Sequence, residues 1–213
     1  MKRTLTFPLT LSLTVVSLIV VSLIGCAVYT APTREETLQV VKQSFQDRGI
    51  AKLDRLNQSD LQVACSEVAL TGKELPKDVR ARLEKQALAT VKLPADGVYL
   101  GDFKQGERIA QTGVGMQWSD NDKTVAGGNC YACHQLSPQE IAFGNIGPSL
   151  RGYGKQRGNS QAVLTYTWGK LWNSHAYNAC SQMPRYGDAN ILTTTQLKDL
   201  MALLLDPNSP VNK

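Results

Sequence analysis

The chain has 213 residues, of which 42% are hydrophobic, 7% aromatic and 19% charged. That is enough apolar material for one packed domain with an arm, and it excludes wholesale disorder, collagen-like and multi-span membrane classes. The formal charge of +5 includes Lys2 and Arg3; the other 21 basic and 18 acidic residues are mixed along the chain, too weak and dispersed a balance for nucleic acid.

Lys2 and Arg3 precede an apolar run from Leu5 to Ile24, broken only by Pro8 and small hydroxyl residues. A charged start, an apolar middle and small residues near the exit read as a secretory signal over residues 1–30, removed on maturation so that no integral span remains. The same run is long enough for an uncleaved anchor. Leu23-Ile24-Gly25-Cys26 resembles a bacterial lipobox, which would lipidate Cys26, and a competing cleavage point lies near Ala31. On either route the mature chain is expected in the periplasm, lipid-anchored or free, where disulfides persist.

Thr33-Arg34-Glu35-Glu36 is a capping box that predicts a helix to Arg48, closed by Gly49. A second helix is predicted from Pro76 to about Val91, with Val79, Leu83, Ala87 and Leu88 on its apolar face. Pro94, Asp96 and Gly97 break the pattern and divide an arm, 31–97, from a second region, 98–213. The arm is too short and polar to make its own core and is expected to pack on that second region. Beyond it, helices are predicted over 102–112, over 160–172 with Asn159 or Ser160 as cap, and over 193–205. The last has a second capping box, Thr193 with Gln196, and a buried face of Leu197, Leu200, Met201 and Leu204. Residues 113–128 and 135–157 read as loop. No segment alternates at period two, so an all-α fold without a sheet is expected.

Cys130-Tyr131-Ala132-Cys133-His134 is C-x-x-C-H, the attachment signature of c-type haem. Positions i, i+3 and i+4 share a helical face. Cys130 and Cys133 then reach the two vinyl groups of one haem c as thioethers, and His134 presents its imidazole to the iron. A zinc site needs two more ligands, and no second Cys pair exists. A thioredoxin-like dithiol needs βαβ surroundings that are not visible. The sixth ligand must come from downstream: Met183, in an irregular Gln-Met-Pro segment, with His175 and a Cys180 thiolate as rivals. Met201 and Met116 read as packing. A neutral thioether favours Fe(II) and raises the potential, whereas a second His or a thiolate lowers it. Asp120-Asn121-Asp122 lacks the rest of a calcium loop and reads as a turn. Of five cysteines, Cys26 in the leader and the two haem thiols leave Cys65 and Cys180. A Cys65–Cys180 disulfide is the economical pairing in an oxidising compartment; two buried thiols are the alternative.

Gly147-Pro148-Ser149-Leu150 resembles the Gly-Pro-x-Leu stretch of class I cytochromes c. The resemblance implies that the Pro148 carbonyl accepts the His134 Nδ1 hydrogen. It also implies a class I cytochrome c-like domain over 98–213, with residues 31–97 as a helical N-terminal extension, and Met183 at the family's axial position. Trp168 and Arg185 are candidate donors to a haem propionate. The run Tyr177-Asn178-Ala179-Cys180-Ser181-Gln182-Met183-Pro184-Arg185-Tyr186-Gly187 is more specific. With it, residues 101–213 resemble the X subunits of the SoxAX cytochromes of bacterial thiosulfate oxidation, and the arm resembles the extension of that family's larger members. The resemblance implies an electron-accepting monohaem subunit with no catalytic residues of its own. Its partners would be a SoxA-type cytochrome bearing the catalytic haem, a small acceptor cytochrome downstream, and, transiently, a sulfur-carrier protein whose cysteine receives thiosulfate. A free periplasmic electron shuttle is the alternative.

Overall fold

A computed structural model describes residues 31–213. The expected leader, with Cys26, lies outside the described residues. Those described are helical, with no strand and one isolated bridge between Arg48 and Ala51. Two units divide the chain, one ending at Phe45 and the other running from Gln46 to Lys213.

Helix α1, Arg34–Ser44, lies in the first unit. Its capping box forms as expected, with Glu36 N donating to Thr33 Oγ1 at 3.2 Å and Thr33 N donating to Glu36 Oε2 at 2.7 Å. The helix stops short of the expected Arg48. Ser44 Oγ donates to Val40 O at 2.7 Å, a side-chain bond that competes with continuation, and Phe45 is extended. Gly49 therefore caps nothing. With φ of +52° it closes a tight turn in which Arg48 and Ala51 exchange backbone bonds of 3.0 and 2.9 Å. A Cβ there would lie 2.2 Å from Trp118 O.

The second unit carries a helix that residue periodicity did not reveal: α2, Asp60–Thr71. Ser59 and Gln62 cap it reciprocally, and Gly72 closes it in the left-handed conformation. These signals stand in the sequence, but none of the helix's residues is fully buried, so it has no apolar stripe to read. Helix α3, Lys77–Ala89, buries Leu83 and Ala87, whereas Leu88, expected on the same face, is 47% exposed. Residues 90–97 then run onto the remainder of the unit. Lys92 O accepts the indole N–H of Trp168 at 2.8 Å, and Tyr99 meets the Trp168 ring edge-on at 5.8 Å.

The core is built on α4, Phe103–Gln111, packed against α7, Thr194–Leu205. Gly106 permits the close approach: a Cβ there would be 2.2 Å from Asp199 O. Buried Asp199 accepts from Asp102 N at 2.8 Å, and Lys198 O accepts from Gly101 N at 2.9 Å, which pins the start of α4 to the side of α7. The capping box of α7 forms as expected. Besides Leu197, Leu200, Met201 and Leu204, the helix buries Ala202, Leu203 and Leu205. Helix α5, Tyr153–Arg157, helix α6, Gln161–Trp172, and a final turn, Pro210–Asn212, cover the other sides. In that turn Asn212 Nδ2 donates to Leu204 O at 3.0 Å and Asp206 O at 2.9 Å, satisfying carbonyls that the end of α7 leaves open. Met116, expected as packing, is 40% exposed with positive φ; its carbonyl accepts from Arg55 Nη1 at 2.7 Å.

Candidate haem site

The C-x-x-C-H segment folds as one tight turn. Asn129 enters it with φ of +47°, and Cys130–Ala132 form a 3-10 turn rather than the α-helical turn expected. Cys133 N and His134 N both donate to Cys130 O, at 3.1 and 2.9 Å. Cys133 closes the turn as its C-cap, with His134 next in line. Both thiols are free. Burial pushes the Cys130 thiol up to about 12, so the sulfur keeps its hydrogen.

His134 Nδ1 lies 2.7 Å from Pro148 O. A carbonyl only accepts, so Nδ1 carries the hydrogen and Nε2 keeps a lone pair for a metal. The strap bearing Pro148 is fixed at both ends: Gly147 N donates to Cys133 O at 2.9 Å and Leu150 N to Gln135 O at 2.7 Å. It passes against the imidazole, since a Cβ on Gly147 would be 2.2 Å from His134 Cε1.

Met183 is partly buried against the core cluster that also receives Cys130, Leu150, Trp172 and Ile191. Its carbonyl accepts from Ser174 Oγ at 2.6 Å and its N–H donates to Ser181 Oγ at 3.2 Å. Three residues on, the Tyr186 hydroxyl donates to Gly128 O, which ties the methionine segment to the backbone just ahead of the haem turn. Of the rivals, Cys180 is bonded to Cys65, with sulfurs 2.07 Å apart, and has no thiolate to offer. His175 is buried, and its Nε2 is 3.2 Å from Ser181 O. Burial and then the Arg185 charge lower its pKa, so it is a neutral ring pinning the loop.

Residues 119–206 match the family model for cytochrome c. An uncharacterised lipoprotein of Aquifex aeolicus (strain VF5) is 38% identical over 160 residues, spanning 73% of this chain and 73% of that one. The chain carries a cytochrome c domain, the kind of domain that electron-transfer haem proteins use.

The residues of this cytochrome fit haem c. Two free thiols and an imidazole that donates through Nδ1, leaving Nε2 as the nitrogen available to a metal, share one turn. The indole N–H of Trp172 is buried without an acceptor among the described residues, a donor of the kind a haem carboxylate satisfies. Trp168, expected in that role, gives its N–H to Lys92 instead. Arg185 pairs with Asp188 at 3.1 Å. Asp120-Asn121-Asp122 is the expected turn, its side chains accepting from Gln117 N and Lys123 N at 2.7 and 2.9 Å.

A polar brace beside the cytochrome's haem turn was not foreseen. Tyr131 donates to Glu107 Oε1 at 2.8 Å and accepts from Ser137 N at 3.1 Å, while Gln111 Nε2 donates to the same carboxylate oxygen at 3.1 Å. Among the described residues Glu107 Oε2 is buried and unpartnered, and burial raises the carboxyl's pKa. The signal was available: on α4, Glu107 falls three positions before buried Ala110, on the inner face.

Proposed function

We propose that this cytochrome binds one haem c, covalently, through Cys130 and Cys133, with His134 and Met183 as axial ligands of the iron. The observation that carries the reading is the Nδ1 hydrogen bond from His134 to Pro148 O at 2.7 Å, which sets the tautomer that iron ligation requires. Bound haem supplies a one-electron couple, placed high in the haem range by a thioether ligand. The chain's own residues hold the imidazole in one tautomer, fix the methionine segment through Ser174 and Tyr186, and exclude water with Leu150, Trp172 and Ile191. With His134 and Met183 both on the iron, no coordination position would be left open for a substrate, which fits a relay role. Met183→Ala abolishes the weak sulfur-to-iron absorption band and lowers the potential; a band that survives refutes the assignment.

The relay serves a SoxAX-type complex that couples thiosulfate to a carrier-protein cysteine. Support comes from the resemblance of residues 177–187 and from an extension that is joined to that run by the Cys65–Cys180 bond. The catalytic haem belongs to the SoxA-type partner, and electrons leave to a small acceptor cytochrome. The likeness to a lipoprotein supports an extracytoplasmic, lipid-anchored form processed at Cys26. Co-purification with a second cytochrome, and reduction of this haem by thiosulfate only in its presence, is the expected result. A lone monomer that is fully active as a shuttle overturns the Sox assignment. A mass spectrum of the mature chain reads the terminus, lipid, thioethers and disulfide together.

A further inference from the structure

The segment that carries Met183 has no helix between Ala176 and Thr194. Much of what fixes it comes from the extension. Cys65 of α2 is bonded to Cys180, three residues before Met183. Glu84 of α3 accepts the Ala179 N–H through Oε1 at 3.1 Å. Asn173 Nδ2 donates to Thr90 Oγ1 at 3.0 Å, its Oδ1 accepts from His175 N at 3.1 Å, and its neighbour Ser174 holds the Met183 carbonyl. Side-chain packing of α2 on the segment is incomplete. A cavity of about 480 Å³ lies between them, lined by Leu61, Cys65, Ala69, Cys180, Met183 and Ile191 among others. The segment therefore has room to move once its tethers are cut.

We propose that Cys65 and Glu84 are positioning residues through which the extension keeps Met183 from exchanging with external ligands. The inference rests on Met183 being the axial ligand. A thioether is a weak donor whose hold on the iron depends on its effective concentration there. A short tethered segment keeps that concentration high, and a freed one lowers it.

The test uses ferric, haem-loaded full-length protein titrated with imidazole, read as loss of the sulfur-to-iron band. Three forms are compared with wild type: the phosphine-reduced protein, Cys65→Ser with Cys180→Ser, and Glu84→Ala. The disulfide-free forms are expected to bind imidazole about tenfold more tightly, and Glu84→Ala about threefold, in keeping with a lowered effective concentration. A structural role alone would lower the melting temperature and leave imidazole affinity at 25 °C unchanged. Disulfide-free protein that keeps its helical dichroism and the wild-type imidazole affinity overturns the proposal. If the disulfide-free forms lose helix, Glu84→Ala decides, and wild-type affinity there overturns it equally. A wild type without the band, or a band that persists in Met183→Ala, refutes the ligand assignment itself and is thereby distinguished from failure of the tether.

Discussion

Gly147→Ala perturbs the imidazole proposed as an axial ligand without replacing it. The new Cβ would lie 2.2 Å from His134 Cε1, 2.5 Å from Nδ1 and 2.7 Å from Nε2, where ordinary contact begins at 3.4 Å. The ring and the strap must part by about 1.2 Å, which carries the Nδ1 to Pro148 O bond from 2.7 Å beyond hydrogen-bonding range. Such a bond contributes about 1 kcal/mol net. It is stronger in the ferric state, because the more positive iron makes the N–H more acidic. If the whole difference falls there, its loss raises the potential by about 40 mV, on the scale of 59 mV per tenfold change for one electron. With haem held by the proposed thioethers, the change would be read by redox titration of intact protein. An unchanged or lowered potential in a folded, haem-loaded variant refutes the reasoning.

Two further outcomes concern the brace beside the haem turn and the core helix. Burial holds the Glu107 carboxyl above its ordinary 4.5, so the folded state keeps a proton that the unfolded chain has lost. Its contribution to stability therefore falls as pH rises from the ordinary carboxyl value through the raised one. Relative to Glu107→Gln, the wild type loses melting temperature across that range; a gap constant with pH contradicts the assignment. Thr193→Ala removes one half of the α7 capping box. It is expected to cost about 1 kcal/mol and 2–4 °C in melting temperature, checked by thermal dichroism.

The local signals in the chain are those that need only neighbours along the sequence. Thr33, Ser160 and Thr193 start helices as their side chains dictate, and the five-residue haem motif closes its own turn. Expectations failed where a residue's role depended on a distant partner. Gly49 reads as a helix terminator but serves a turn pressed against Trp118. Trp168 and Trp172 are both indoles on α6, four residues apart; Lys92 O accepts from the first, and among the described residues nothing accepts from the second. The inner-face position of Glu107 is legible along α4, but its partner Tyr131 is 24 residues away and only the fold brings the two together.

By itself, the sequence determined an all-α fold, the C-x-x-C-H turn, the proline whose carbonyl takes its histidine's hydrogen bond and the two cysteines left to pair. These arise from side-chain chemistry at short spacing, where chain connectivity already brings the groups together. Tertiary structure decided between the two outcomes left open for those cysteines, forming the expected Cys65–Cys180 bond rather than two buried thiols, and it alone showed that Glu84 of the extension grips the methionine segment. Those contacts close long loops, whose entropy only cooperative burial of α4 against α7 and their covering helices can offset.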